Sequence, residues 1–455
     1  MRYYLAIDIG ASSGRHIIGW LENGKLKTEE IYRFTNGNES KCGHLVWDAK
    51  RLFSEIKNGL KQAKVIDKVP SFIGIDTWAV DYALLDKEDK LIGEVFAYRD
   101  SRTEKSSQAV HHVIPFDELY SRTGIQFQQF NTIYQLYADK ISKKIDSAES
   151  MLMLPDYLNF LLTDVKKQEY TNATSTGLVN AKTHKCDFEI IEKLGLPKKL
   201  FGELSQPGTI VGEFSKQVQN ELGYNAMVIL PATHDTASAV LATPIEQESP
   251  YISSGTWSLL GIEQKNAHTD KESQKSNYSN EGSINYNFRY QKNIMGLWLI
   301  QSVRKELGNI SFEELANMAR DKENCGIIDV NDNRFLAPNS MIEEINKALG
   351  KNLNTAGIMR VIYDSLALSY ADAIAELEKN TGNSYKTLNI IGGGSRDMLL
   401  NELTAKTTGK KIITGPIEAT AIGNLIMQMI GTGEIDDLAE ARKIIKKSFK
   451  VEEVR

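Results

Sequence analysis

Cysteine is scarce: Cys42, Cys186 and Cys325 are the only three in 455 residues. They are scattered and lack metal-type pairing, which argues against both a disulfide framework and a zinc site and leaves reduced structural thiols as the expectation. Apolar runs approaching the ~20 residues needed to cross a bilayer are missing, and so are long Lys/Arg blocks. With 54 basic and 59 acidic residues the net charge is -5, so a polyanion such as DNA is repelled on average. The start, "MRYYLAIDIG", carries one early arginine but no long apolar core before a small-residue cleavage site, and reads as a first strand. A cytoplasmic protein with neither nucleic-acid nor membrane partners is expected. A small anion held in a local cradle remains allowed.

The length suggests two or three domains of roughly 150 to 250 residues. "YYLAID" and "RHIIGW" have strand character and are joined by "IGASSG"; "AKRLFSEIKNGLKQAK" places Leu52, Phe53, Ile56 and Leu60 on one helical face, and "SFIGID" and "YALLD" follow as strands. This order predicts a mixed sheet with a crossover. Helical patterns dominate 116–160, and "NAMVILPATHDTASAVLA" gives a strand, a proline stop and a helix opening around His234 and Asp235. "YISSGTWSLLGI" repeats the opening pattern, which hints at two lobes of similar build. The polar stretch 264–279 reads as a solvated excursion. A long helix ends at Gly382, then "TLNIIGGG" and "KKIIT" are strands, with helices over 396–408 and "ATAIGNLIMQMIG". The lobe boundary is expected near Thr243 to Pro250, giving domains 1–245 and 246–455.

Three turns follow apolar strands: "DIGASSGR", "SSGTWS" and "GGGSRD". Glycines there let backbone N–H groups approach a phosphate, and hydroxyls add donors. Each alone is as well explained by an ordinary glycine turn; three together, with Asp8 at a strand end, favour a nucleotide. Neither a Walker loop nor a GxGxxG is present, so the binding scheme is another one, and the Asp8 carboxylate suits Mg²⁺ directly or through water. Asp235 is either a plain N-cap or a base kept ionised by the helix dipole, able to take a proton from a sugar hydroxyl during phosphoryl transfer. "GIDTWAVDYALLD" brings Asp76, Trp78 and Asp81 close together, which suits sugar recognition or a hairpin with an exposed tryptophan. Of the histidines, only His234 earns a place in a site.

In this order the motifs resemble those of the FGGY carbohydrate kinases over nearly the whole chain. The resemblance implies an α/β protein of two actin-like ATPase (ribonuclease H-like) lobes with an interlobe cleft, a C-terminal adenosine motif like "IGGGSRDMLLNELTA", and transfer from ATP to a small ketose. The segments "YRDSRT", "RTGIQFQQFNTIYQL", "NIMGLWLIQ" and "DNRFLAPNSM" narrow it to one branch of that family. Carried over by residue, it implies that Ala11, Ser12, Ser13, Gly14 and Arg15 contact ATP phosphates, with Thr256, Gln301 and Gly394 completing the nucleotide site and Asp8 helping to hold Mg²⁺. Ala79, His234, Asp235, Thr236 and Asn293 would contact the sugar, with Asp235 as general base, and Asp76, Trp78 and Asn131 would form the pocket wall. Ala79 departs from the glycine usual in the family, which puts selectivity among ketoses in question. Gly14→Val is expected to impair ATP use without unfolding the lobe. A monomer or weak homo-oligomer is expected; a ketose kinase for L-fuculose or a pentulose, a non-catalytic sugar sensor and an actin-like assembly protein are the rivals.

Overall fold

The structure, a computed structural model, describes residues 1–245, 248–323 and 325–454. Two compact units emerge: Met1–Ala242 with Glu263–Tyr290 and Thr420–Ser448, and Thr243–Ile262 with Gln291–Ala419 and Phe449–Arg455. Residue 246, at the expected boundary, lies outside the described residues. A single cut in the sequence has no means of showing that two later segments return to the first unit.

In the first unit, six strands order as Ile210–Glu213, Met227–Ile229, Phe72–Thr77, Tyr4–Ile9, Ser13–Glu22 and Lys25–Thr35. Tyr4–Ile9 pairs antiparallel with Ser13–Glu22 and parallel with Phe72–Thr77, which pairs parallel with Met227–Ile229. Alternation along a strand sends successive side chains to opposite faces. Leu5, Ile7, Ile9, Ile73 and Ile75 share one core with Leu52, Ile56 and Leu60 of the helix Ala49–Val65. That helix starts at Asp48, whose carboxylate accepts from Arg51 N–H at 2.9 Å; each of its three apolar side chains contributes ~1.5–3 kcal/mol when fully buried. Phe53, expected on the same face, is only partly buried.

The other face of the sheet is covered by the helix Ala419–Gly431. Gln428 Nε2 donates to Leu5 O at 3.0 Å and Asn424 Nδ2 to Gly74 O at 3.1 Å. Only glycine at 74 allows this, because a Cβ there would stand 2.5 Å from Asn424 Oδ1.

The second unit repeats the pairing pattern. Tyr251–Ser254 pairs antiparallel with Trp257–Gln264 and parallel with Thr387–Ile391; Thr387–Ile391 pairs parallel with Lys411–Thr414, and Lys411–Thr414 antiparallel with Glu452–Val454. The sequence-level repetition therefore has a topological basis. The long helix covers Thr355–Thr381 and ends on Gly382 at φ 70°, whereas the expected helix from Arg396 begins at Met398, after a 3₁₀ turn and an Asp397 cap. The stretch 264–279 is not a free excursion. It holds the helix Lys271–Lys275, and Tyr120 Oη donates to the buried Tyr278 at its carbonyl (2.6 Å). Among the described residues, no helix is long and apolar enough to cross a membrane.

His16 illustrates what the core demands. It is fully buried against Gly59, its Nε2 lies 3.3 Å from Ile56 O, and its Nδ1 has no partner among the described residues. Burial pushes its pKa down to about 4. The unfolded chain protonates this group near pH 6.5 and the folded chain only near 4, so its contribution is fully present above pH 6.5 and lost as the pH falls towards 4, amounting to about 3 kcal/mol. Urea unfolding at pH 7 and 4.5 is expected to show this acid-side loss, and His16→Leu to diminish it by most of that amount.

Candidate active site

The sheet alternation that buries Ile7 and Ile9 forces Asp8 onto the opposite face. There it lies directly across from Arg15 in the antiparallel neighbour and from Asp76 in the parallel one, so three ionisable residues form a row across three strands. Arg15 donates to Asp8 Oδ2 from Nε (3.0 Å) and Nη2 (2.9 Å). Asp76 is wholly buried, accepts from Asn424 Nδ2 at 2.5 Å, and leaves Oδ1 without a partner among the described residues. Burial first, then the charge of Asp8, holds the Asp76 carboxyl well above the usual carboxylate range.

The turn between the first two strands is closed by Gly10 N–H on Ser13 O (2.9 Å) and clamped by Asn36, whose Nδ2 donates to Gly10 O (2.8 Å) and whose N–H donates to Ser12 O (2.9 Å). Asn36 has no sequence signal beyond its type. Gly14 differs from the expectation: a Cβ there would lie 2.1 Å from the Phe34 ring. Packing against Phe34 therefore requires this glycine, and valine at 14 tests the sheet before it tests ATP.

At the end of Phe72–Thr77, Thr77 N–H donates to Thr233 O at 2.9 Å. The buried Glu169 accepts from Thr233 N–H (3.2 Å) and Oγ1 (2.7 Å). This fixes the junction that ends in His234 and Asp235. His234, not Asp235, is the N-cap; Asp235 is the first residue of the helix Asp235–Leu241, which corrects the plain N-cap reading. Thr236 donates to Asp235 Oδ1 from N–H (2.6 Å) and Oγ1 (3.2 Å), and no described residue donates to Oδ2. Although 30 % of the Asp235 side chain reaches solvent, burial raises its pKa, the nearby Asp8 adds to this, and His234 opposes it. Desolvation is the largest influence on this group, and the carboxyl sits above its ordinary value despite its place at the start of a seven-residue helix.

Trp78 is buried, and its indole N–H donates to Asp81 Oδ2 at 2.8 Å, as does that of Trp47 at 2.6 Å. The exposed-tryptophan hairpin is thereby excluded; Tyr82–Leu85 pairs instead with Ser150–Met153. Beside the partly exposed Ala79, Val80 holds φ 70°, a conformation that costs a β-branched residue ~1–3 kcal/mol. It is kept there by Thr132 Oγ1 and Gln135 Nε2, which donate to its carbonyl at 2.7 and 3.2 Å. Asn131 caps the helix Thr132–Ile141 and donates from Nδ2 to Gln126 O at 3.0 Å.

Thr256, Gln301, Gly394 and Asn293 belong to the second unit. Leu297 and Trp298 N–H donate to Gly255 and Thr256 carbonyls, seating the turn on the helix Trp298–Glu306. Thr256 Oγ1 donates to Gln301 Oε1 at 3.4 Å. A Cβ on Gly394 would stand 1.9 Å from Ser254 Oγ, so the "SSGTWS" and "GGGSRD" turns lie side by side because that residue is glycine. Asn293 Oδ1 is buried and has no hydrogen-bond partner among the described residues.

Among the described residues no group of three or more ligating side chains could by itself hold a metal. A single strand-end carboxylate, Asp8, with Asp76 aligned beside it, fits a Mg²⁺ held chiefly by phosphate and water. Sequence reasoning missed Glu169, Glu281 and Arg289. The last of these lies in "NFRYQK" within the strand Phe288–Met295, where a charged residue between aromatic positions is the one available hint.

The profile of the FGGY family of carbohydrate kinases, N-terminal domain, matches residues 3–242, and that of its C-terminal domain residues 250–432. The rhamnulokinase of Oceanobacillus iheyensis is 48 % identical over 454 residues, covering 98 % of this chain and 96 % of its own. That of Bacillus subtilis is 42 % identical, covering 98 % and 94 %. Among solved structures, a ligand-bound xylulose kinase from Lactobacillus acidophilus superposes with a TM-score of 0.82 at 16 % identity, covering 100 % of this chain and 94 % of its own. Plasmodium falciparum glycerol kinase with ADP gives 0.79 at 16 %, with the same coverage. These structures share its fold, the actin-like ATPase class.

Proposed function

Because the chain belongs to the FGGY family of carbohydrate kinases, we propose that this sugar kinase uses ATP to phosphorylate L-rhamnulose at O1, giving L-rhamnulose 1-phosphate and ADP. The full-length identity of 48 % to a rhamnulokinase supports this choice of ketose, and the observation that carries the chemistry is Asp235. One of its carboxylate oxygens is anchored by Thr236, while no described residue donates to the other, and its pKa is raised into stronger basicity.

Asp235 Oδ2 accepts the O1 proton as O1 bonds to the γ-phosphorus and the bond from that phosphorus to the bridging oxygen of ADP breaks. Such transfer is driven by positioning and electrostatic stabilisation. Ala11 to Arg15 take the phosphates, and Thr256, Gln301 and Gly394 the remainder of the nucleotide. Ala79, His234, Thr236 and Asn293 orient the sugar, with Asp76, Trp78 and Asn131 behind it. Asp8 would hold Mg²⁺, which neutralises phosphate charge when bound. The protein acts in the cytoplasm, as a monomer or weak homo-oligomer, without nucleic acid or membrane.

A coupled ADP assay over a panel of ketoses tests the reading. L-rhamnulose is expected to give the highest kcat/KM; a clear preference for L-fuculose or a pentulose would replace the substrate, and sugar binding without any ADP would favour a sensor.

A further inference from the structure

Behind His234, in the same unit, lies a buried ion pair to which the sequence reading gave no role. Arg289 is fully buried; its Nε donates to Gly282 O (3.2 Å) and its Nη2 to Glu281 Oε2 (3.0 Å), while Nη1 has no hydrogen-bond partner among the described residues. His234 Nδ1 lies 3.1 Å from Glu281 Oε2 and 3.2 Å from Arg289 Nη2, and its Nε2 lies 3.5 Å from Asp235 Oδ1. A buried ion pair is a weak source of stability, so its position against a histidine next to Asp235 calls for a different explanation.

We propose that Glu281 and Arg289 are positioning residues that hold His234 as its Nδ1–H tautomer, so that Nε2 presents a lone pair to a sugar hydroxyl beside Asp235. This rests on the ketose-kinase reading above. A guanidinium only donates, and the carboxylate it neutralises only accepts, so Nδ1 sits between a donor and an acceptor and the proton's location decides which contact is good.

Donor accounting favours Nδ1–H. With the proton on Nδ1, it makes a charge-assisted hydrogen bond to Glu281, roughly twice as strong as a neutral one. With the proton on Nε2, Nδ1 gains the 3.2 Å contact from Arg289 Nη2, a nitrogen already donating to Glu281, while among the described residues the buried N–H faces Asp235 Oδ1 at 3.5 Å, beyond hydrogen-bond distance and already taken by two Thr236 donors. In addition, the Glu281 oxygen and the Nδ1 lone pair would then confront each other at 3.1 Å. An acceptor Nε2 next to Asp235 leaves the two groups distinct tasks: Nε2 fixes one hydroxyl by accepting its hydrogen bond, and Asp235 remains the group that takes the proton.

The test uses the full chain labelled with ¹⁵N-histidine. Long-range ¹H–¹⁵N spectra, with the His234 signal assigned by its loss in His234→Asn, are expected to show the Nδ1–H tautomer in the wild type. Glu281→Gln can donate to Nδ1, and is expected to move the proton to Nε2 and to raise the ketose KM about tenfold or more, with the KM for ATP unchanged. Arg289→Lys retains the charge beside Glu281 and is expected to keep the Nδ1–H tautomer. An Nε2–H signal in the wild type overturns the proposal whatever the activity. An unchanged tautomer in Glu281→Gln overturns it as well, even where that variant is less stable. If no ketose is phosphorylated, the substrate reading fails, and the tautomer measurement still judges this one.

Discussion

Asp235→Asn is expected to lower kcat by about 10²–10⁴-fold, the usual contribution of a positioned general base, while L-rhamnulose binding measured by titration calorimetry changes little. The asparagine retains an oxygen that can accept from Thr236 N–H, as Asp235 Oδ1 does at 2.6 Å, so the helix start survives. What it loses is basicity at the oxygen to which no described residue donates. An effect confined to kcat identifies an interaction made in the transition state, whereas loss of binding alone would make Asp235 an ordinary sugar ligand. Retention of turnover within tenfold would remove it as the base.

The second large effect is on stability. Gly423 lies in the helix Ala419–Gly431, where a Cβ would stand 1.7 Å from Ser238 O, a backbone atom of the helix Asp235–Leu241. Backbone cannot rotate aside as a side chain can, so Gly423→Ala must separate the two helices. Overpacking of this kind costs about 1–3 kcal/mol or more, which for a unit of this size lowers Tm by several degrees. Gly37→Ala, with no atom within 4 Å of the added Cβ, is the control and is expected to leave Tm unchanged. The separation should also reach the site, because the next residue, Asn424, holds Asp76, and Ser238 Oγ donates to Ala232 O just before the junction at His234. Calorimetry of both variants decides the point; equal Tm values would mean that the helices already have room.

The same helix shows where sequence reading ends. Its apolar pattern predicts a helix over "ATAIGNLIMQMIG", and that helix forms, but nothing local tells that Asn424 and Gln428 cover the sheet near Gly74. Arg289 is similar. Its strand is legible, while its partners Glu281 and His234 are eight and 55 positions away, so the pair exists only in the folded unit. Gly14 is a related case: the phosphate turn is a local pattern, but the ring that fills the space above it comes from Phe34 on the next strand.

The sequence by itself determined the strand and helix order, the three glycine turns, Asp8 at a strand end and Asp235 at a helix start, because hydrophobic period and turn chemistry are local properties of the chain. Tertiary structure decided the rest. Strand register set Asp8 between Arg15 and Asp76, burial raised Asp235 where its helix end alone would have lowered it, and two returning segments supplied Asn424, Glu281 and Arg289. Register, desolvation and long-range return depend on which surfaces exclude water together, and no window of neighbouring residues contains that information.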